Sequence, residues 1–274
     1  MIKVDLWGRM GNQMFQYAFA VNTSKKFKTF FLIMPKEKFE LIKFFKLDFL
    51  TRLCYNKFIF RFYRFIVAKV FLFQYILQNN EGSIELNNNK CYKGFFQSEG
   101  YFVNSKKVIQ NKFKIKKEWK KKYREKYYSI FNESDKIIVM HIRRTDYVNF
   151  GGDHVGGKNL TLPMSYYDNC LSLINNLEEY KVVCISDDIN FVKDYFKERV
   201  NYFFLKNEAI IDFQIILNAE IAIIANSSFS WWAAYLNNKK NKIIYAPKYW
   251  FGFKVNTEIP ENIIPENFLT VETN

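Results

Sequence analysis

The chain has 274 residues, enough for one large or two medium-sized domains, and its 49% of apolar residues is ample for a hydrophobic core. A formal net charge of +14 implies an anionic partner: a nucleic acid, an anionic membrane or a phosphorylated substrate. The four cysteines are widely spaced and form no Cys-x-x-Cys pair, which argues against a zinc or thioredoxin-like site and favours a reducing cytoplasm. We expect no signal peptide, because a glycine turn follows the first few residues too soon.

The beginning of the chain predicts a β-loop-α-β unit. Lys3–Trp7 is a predicted strand, Gly8–Gly11 a tight turn, Asn12–Phe27 a helix and Thr29–Met34 a second strand. Glycines let the backbone approach a ligand closely, and the start of the helix offers N–H groups to an anion. The turn is therefore a candidate binding site, although an ordinary strand–helix connection has the same features.

A strongly apolar segment, Phe58–Leu77, lies in the middle of the chain. Arg61, Arg64 and Lys69 interrupt it, which argues against a helix that spans a membrane. The pattern predicts an amphipathic helix instead. Such a helix either packs within its domain or lies on a membrane surface.

Two further segments help to divide the chain. Tyr92–Phe102 contains two glycines and is predicted to be a loop. Lys106–Lys126 carries eleven basic residues, which form either a solvated helical face or a contact with an anionic partner. The basic stretch stops near Phe131–Asp135, so we place the boundary between an N-terminal domain, 1–133, and a C-terminal domain, 134–274, at that point.

The second half alternates short apolar strands with helices, the pattern of a parallel α/β sheet. We infer an α/β fold of two domains with a cleft between them. The predicted strands are Lys136–Met140, Lys181–Ile185, Tyr202–Leu205, Ile221–Ala225 and Lys242–Ala246, and the predicted helices are Ser165–Leu177, Ile189–Lys197, Ile210–Ala219 and Phe229–Leu236.

One of these strands ends in a group of side chains suited to a diphosphate. His141, Arg143, Arg144 and Asp146 follow an apolar run, and ligands of parallel sheets bind at the carboxyl ends of the strands. Paired guanidinium forks match phosphate oxygens, and the carboxylate could orient an arginine or accept a proton. The alternatives are a strand end with solvated charges and a histidine buried in the core.

Two more polar segments follow predicted strands. Ser186–Asp188 could begin a helix as its N-cap, or its Asp187 carboxylate could bind a nucleobase amide or a ribose hydroxyl. Asn226–Ser228 could form an anion site at the start of a helix. Of the tryptophans that follow, Trp231 and Trp232, we expect at least one in the core.

Together these segments suggest a nucleoside diphosphate held by arginine and serine rather than by a metal. The chain contains no Asp-x-Asp, the usual carboxylate pair for a metal-bound diphosphate, and only two histidines. We therefore expect no metal and no other cofactor.

Three blocks of the chain resemble the α-1,2-fucosyltransferase family, glycosyltransferase family 11: Gly8–Ala18, His141–Tyr147 and Ala225–Leu236. Phe95–Ser98, Tyr166-Tyr167 and Ala246–Phe251 look like further landmarks of that family in the expected order, so the resemblance runs from residue 3 to about 251.

The resemblance implies a GT-B-type fold of two Rossmann-like domains and an inverting transfer of L-fucose from GDP-fucose to O2 of a terminal galactoside, without a metal. The donor would bind the C-terminal domain and the acceptor the N-terminal one. Arg143 would meet the β-phosphate and Asn12 would approach the same leaving group, with Asp146 as a third catalytic candidate. The residues implied in substrate binding are Gly11, His141, Arg144, Asp187, Asn226, Ser227, Ser228 and Phe229.

The base that would take the acceptor's proton is not settled by the resemblance. Asp146 and, more weakly, Asp153 are candidates. A dissociative, oxocarbenium-like transfer could instead depend mainly on stabilising the leaving diphosphate.

The expected setting is the bacterial cytoplasm, where the enzyme would build surface polysaccharide such as O-antigen. Its acceptor could be lipid-linked, and its basic patches could hold it at the anionic inner face of the plasma membrane. We expect no nucleic-acid partner. The alternatives are a transferase for another sugar nucleotide and a non-catalytic basic module that binds nucleic acid or membrane.

Overall fold

The computed structural model describes residues 1–35, 38–53, 59, 62, 65, 74–78 and 84–273. The chain forms two compact units, which we call unit 1 (1–117) and unit 2 (118–274). The division falls earlier than the expected 133/134, because the segment after 117 packs on unit 2: Gln214 Nε2 donates to the Trp119 carbonyl at 3.0 Å, and the Phe131 ring lies 5.0 Å from that of Phe203. The assignment of donor and acceptor to separate domains stays a prediction.

The described part of unit 1 contains a parallel sheet with strand order β2-β1-β4-β3. Its strands are β1 (Ile2–Leu6), β2 (Phe31–Pro35), β3 (Gln74–Leu77) and β4 (Lys90–Lys93), and its helices are α1 (Met10–Lys26), α2 (Leu41–Phe44), α3 (Phe49–Leu53) and α4 (Lys106–Lys112), with 3-10 turns at Glu99–Tyr101 and Val103–Ser105.

Helix α1 forms the centre of the unit 1 core. Phe15, Ala18 and Phe19 on this helix are fully buried, and the Phe19 ring stacks on that of Phe96 at 3.9 Å. Burial of each such phenyl ring contributes roughly 2–3 kcal/mol. The predicted helix is confirmed, and it begins two residues earlier than predicted, at Met10.

Two predictions for unit 1 were wrong in part. Tyr92 and Lys93, assigned to a loop, belong to β4. The predicted helix Phe58–Leu77 ends in strand β3, and most of its other residues lie outside the described part of the chain. Ile59, Phe62 and Phe65, which are described, are helical and exposed.

Unit 2 contains a second parallel sheet. All five strands and all four helices predicted for this half of the chain are confirmed, with shifted ends. Its strands are β5 (Lys136–Ile142), β6 (Gly151–Gly152), β7 (Gly157–Lys158), β8 (Tyr180–Ser186), β9 (Tyr202–Leu205), β10 (Ile221–Ile223), β11 (Ile243–Pro247) and β12 (Leu269–Val271), and its helices are α5 (Lys117–Tyr127, which begins at the unit boundary), α6 (Met164–Ser172), α7 (Ile189–Tyr195), α8 (Ala209–Leu217) and α9 (Ser228–Tyr235).

The order of the six-stranded sheet is β12-β11-β10-β5-β8-β9, and β6 and β7 form a separate antiparallel pair. Taken in chain order from β5, this is the 3-2-1-4-5-6 order of a Rossmann fold. The order reverses between β5 and β10, and ligands bind at the carboxyl ends of the two strands that flank such a reversal. The fold therefore directs attention to the residues that follow β5 and β10.

The core of unit 2 lies on both faces of this sheet. Ile138, Met140 and Ile142 of β5 pack with Tyr166 and Tyr167 of α6. On α9, the tryptophans at 231 and 232 are both fully buried, which confirms the expectation that at least one lies in the core. In the described part of the chain, no helix is both long enough and apolar enough to cross a membrane.

Candidate functional site

Arg143 follows β5 directly, and two carboxylates hold its guanidinium. Nη2 lies 2.6 Å from Asp146 Oδ1, and Nη1 lies 3.1 Å from Asp187 Oδ2. The Arg143 and Asp187 side chains are only 17% and 20% exposed, whereas that of Asp146 is 43% exposed. The largely buried carboxylate of Asp187 therefore orients the guanidinium, whereas the carboxylate of Asp146 is accessible to solvent.

Asp187 fixes the backbone of the loop that carries Arg143. Its Oδ1 accepts the Arg144 N–H at 2.9 Å, and its Oδ2 accepts the Thr145 N–H at 3.2 Å and the Thr145 hydroxyl. Burial acts to raise the pKa of Asp187, but the hydrogen bond from Thr145, the charge of Arg143 and the Arg144 N–H hold that pKa below its usual value. The carboxylate is thus ionised at neutral pH and engaged with this loop, while its predicted contact with guanosine stays a prediction.

Arg144 points towards α7 rather than alongside Arg143. Its Cζ lies 3.4 Å from the centre of the Phe191 ring, and its Nε lies 3.5 Å from Asp188 Oδ2. Asp188 is the N-cap of α7 and accepts the Phe191 N–H. The helix-cap alternative for Ser186–Asp188 is therefore correct for Asp188, and the two arginines have different surroundings.

The residues after β10 lie beside this loop. The Tyr147 hydroxyl donates to the Asn226 carbonyl at 3.1 Å, and Asn226 Nδ2 donates to the Leu160 carbonyl at 3.0 Å. Ser227 is the N-cap residue of α9, and its side chain makes no capping hydrogen bond. Ser228 is the first residue of that helix. The structure thus brings together the loop at 143–147 and the segment at 226–228, as the sequence predicts.

Two buried polar atoms at this edge have no hydrogen-bond partner among the described residues: His141 Nδ1 and Asn226 Oδ1. His141 is the penultimate residue of β5, and its ring lies 5.4 Å from that of Phe229, the second residue of α9. Burial, reinforced by the charge of Arg143 and opposed by Asp187, lowers the pKa of His141 to about 3. His141 is therefore a neutral imidazole at physiological pH, able to bind a polar group but not to act as a cation.

In unit 1, Gly8 forms the predicted tight turn with a φ of +73°, and Gln97 Nε2 donates to Asn12 Oδ1 at 2.8 Å. The Met10 N–H at the start of α1 donates to Glu40 Oε2 at 2.8 Å. Gly11, which is buried, follows within the first turn of the helix. A carboxylate thus takes one of the N–H groups that were expected to meet an anion.

Glu40 and Gln97 contact the first turn of α1, and the sequence analysis did not single them out as candidates. Gln97 lies within a landmark of the resembled family, which was the available signal for it. Glu40 lies in a segment with no such landmark. Of the two candidate bases, Asp146 is paired with Arg143, and Asp153 is an exposed residue that starts the 3-10 turn Asp153–Val155.

Comparison with known proteins gives the site its context. The model of glycosyl transferase family 11 matches residues 1–263. The chain is 26% identical to the O-antigen biosynthesis glycosyltransferase WbnK of Escherichia coli, over 90% of this chain and 94% of that protein. It is 30% identical to an alpha-1,2-colitosyltransferase of Escherichia coli, over 90% of this chain and 91% of that protein.

Solved structures agree on the fold. The crystal structure of the NodZ alpha-1,6-fucosyltransferase soaked with GDP-fucose superposes with a TM-score of 0.53 at 13% identity, covering 88% of this chain and 96% of that one. These likenesses confirm the predicted α/β fold of the GT-B type.

Proposed function

The chain belongs to glycosyl transferase family 11, and from that premise we propose that it moves L-fucose from GDP-fucose to O2 of a terminal galactoside with inversion. The observation that carries the proposal is the position of Arg143 and Asn226–Ser228 after β5 and β10, the two strands that flank the reversal of a Rossmann-ordered sheet. A nucleoside diphosphate matches that position, because the guanidinium fork and the start of α9 both favour phosphate oxygens.

In this proposal, Arg143 stabilises the leaving GDP. Of its two carboxylate partners, Asp146 is the more exposed, so the diphosphate would displace Asp146 while Asp187 keeps the fork oriented. Negative charge grows on the diphosphate as the bond to fucose breaks, and an oriented guanidinium binds that state more tightly than the ground state. Displaced in this way, Asp146 becomes available to accept the proton of the acceptor hydroxyl, with Asp153 as the weaker candidate.

The nucleoside would lie near the buried atoms of the same edge. His141 Nδ1 and Asn226 Oδ1 lack partners among the described residues, and a buried polar atom without a partner is costly. Polar groups of guanosine would supply those partners. The neutral state of the imidazole suits this role, because it can accept or donate a hydrogen bond without placing a charge in the core.

A second candidate is transfer of colitose from its sugar nucleotide. The specific observation is the relative named as an alpha-1,2-colitosyltransferase, which is 30% identical to this chain over 90% of its length. Both candidates share the leaving diphosphate and the linkage, and they differ only in the sugar that is moved.

The test is a transfer assay on the purified protein with a panel of nucleotide sugars and β-galactosides in excess EDTA. We expect GDP release with GDP-fucose and a Fucα1-2Gal linkage by NMR. Activity restricted to GDP-colitose would select the second candidate. Transfer to another hydroxyl would overturn the linkage, and loss of activity in EDTA that Mn²⁺ or Mg²⁺ restores would overturn the metal-free mechanism.

We also propose that the enzyme works on a lipid-linked intermediate of bacterial O-antigen, at the cytoplasmic face of the membrane. Support for a peripheral contact comes from Ile59, Phe62 and Phe65, which are helical and exposed. The net charge of +14 favours an anionic surface.

A further inference from the structure

Two aromatic rings meet at the carboxyl ends of two neighbouring strands of the unit 1 sheet. Trp7 directly follows β1, and Phe95 follows β4 by two residues. These strands are parallel neighbours, so their carboxyl ends meet at one edge of the sheet, the edge at which ligands of parallel α/β sheets bind. The two ring centroids are 5.9 Å apart and the planes are inclined by 35°.

A buried glutamine fixes the backbone under both rings. The Trp7 N–H donates to Gln16 Oε1, and Gln16 Nε2 donates to the Gly94 carbonyl, each at 3.0 Å. Gln16 is fully buried in α1. The buried Gln16 therefore fixes the backbone that carries the two rings, and with it their spacing.

The backbone also turns Phe95 outward. Its neighbour Phe96 is fully buried against Phe19 and has a φ of +53°, a conformation that is strained for a bulky residue. Phe95 is 45% exposed. Such strain persists where the surroundings impose it, and it is concentrated at functional sites.

We propose that Trp7, Phe95 and Lys93 form the subsite for the galactopyranose ring of the acceptor, an inference that rests on the proposed function. The C–H face of a pyranose packs on aromatic rings, because the ring faces carry partial negative charge. Lys93 Nζ lies 5.0 Å from the centre of the Trp7 ring, where its N–H donors can reach sugar hydroxyls.

The test compares Trp7→Ala and Phe95→Ala with two controls: Phe95→Tyr, which keeps the ring, and Phe30→Ala, which removes an exposed ring elsewhere in unit 1. With methyl β-D-galactopyranoside as acceptor, we expect the two truncations to raise the acceptor KM by roughly 5- to 10-fold, the effect of about 1 kcal/mol of aromatic contact. GDP affinity by calorimetry should be unchanged, and both controls should match the wild type. Circular dichroism checks that each variant is folded.

An unchanged acceptor KM in both truncations would overturn the inference while leaving the proposed function intact. Weaker GDP binding with an unchanged acceptor KM would assign the rings to the nucleotide instead. If the wild type transfers no sugar at all, the proposed function fails separately. Saturation-transfer NMR with the same galactoside then decides the subsite: loss of the signal in Trp7→Ala supports it, and an equal signal overturns it.

Discussion

Arg143 is the side chain on which turnover should depend most. Its fork is held between Asp146 and Asp187, so it is oriented before any donor arrives. An ammonium in its place could pair with one of these carboxylates but could not present a second, coplanar pair of N–H donors to a phosphate. We therefore expect Arg143→Lys to lower kcat on the order of 100-fold or more, the usual cost of losing one oriented stabiliser of a leaving group.

The measurement is steady-state kinetics with GDP-fucose, together with GDP affinity by calorimetry. Arg124→Lys on the exposed surface of α5 is the matched control and should leave kcat unchanged. A near-normal kcat in Arg143→Lys would show that the fork does not act on the leaving group. A loss confined to GDP affinity would mean that Arg143 binds the donor without favouring the transition state.

Five strands of unit 2 were predictable because each contains a short apolar run bounded by polar residues, whereas the short strands β6, β7 and β12 were not predicted. Strand β5 and the residue that follows it, Arg143, could thus be predicted from the sequence alone. In unit 1, β3 (Gln74–Leu77) lies at the end of the apolar segment Phe58–Leu77, which only single polar residues interrupt, and β4 has a lysine at each end with only two buried residues between them. Neither strand shows the periodicity from which strands are recognised.

The contacts that the site residues make were less predictable than the positions of these residues in the sequence. The sequence placed Asp187 at a strand end, but the contacts of its two oxygens with the loop after β5 follow from the pairing of β5 with β8. Likewise, Glu40 reaches the start of α1 from a segment about 30 residues further along the chain. Such contacts depend on the register of packed elements, which no local pattern encodes.

The turn between β1 and α1 offers a test at the scale of an element. A Cβ on Gly8 would lie 2.7 Å from Asn12 Nδ2, a distance that is too short for a real Cβ contact. The Asn12 side chain would therefore have to move. If Asn12 approaches the leaving group, as the family resemblance implies, Gly8→Ala should lower kcat by roughly 10- to 100-fold, because small displacements of a catalytic group have effects of that size.

Gly157→Ala is the matched control for this turn. Gly157 also has a positive φ, +103°, but a Cβ there would meet nothing within 4 Å. Both variants should lose about 1–3 kcal/mol of unfolding free energy from backbone strain, measured by urea denaturation. Only Gly8→Ala should lose activity, and equal activity in the two would show that Asn12 plays no part in the reaction.

At the scale of the whole molecule, the two units carry different chemistry at the carboxyl ends of their strands. Unit 2 offers a guanidinium and a helix start, and unit 1 offers aromatic rings with a lysine. Under the proposed function, the donor with its charged leaving group would bind unit 2 and the neutral sugar acceptor would bind unit 1. The basic residues of Lys106–Lys126 form either a solvated helical face or a contact with an anionic surface.

If that surface is a membrane, the protein should co-sediment with vesicles that contain phosphatidylglycerol, and rising salt should release it, because ions screen exposed charges within about 10 Å at 0.1 M. Replacing Phe62 and Phe65 by serine should weaken binding, since both rings are more than half exposed. Val200→Ser, at an exposed apolar residue of unit 2, is the control and should bind as the wild type. Equal binding to neutral and anionic vesicles, or to neither, would contradict the electrostatic contact and assign the basic residues to solvated surface.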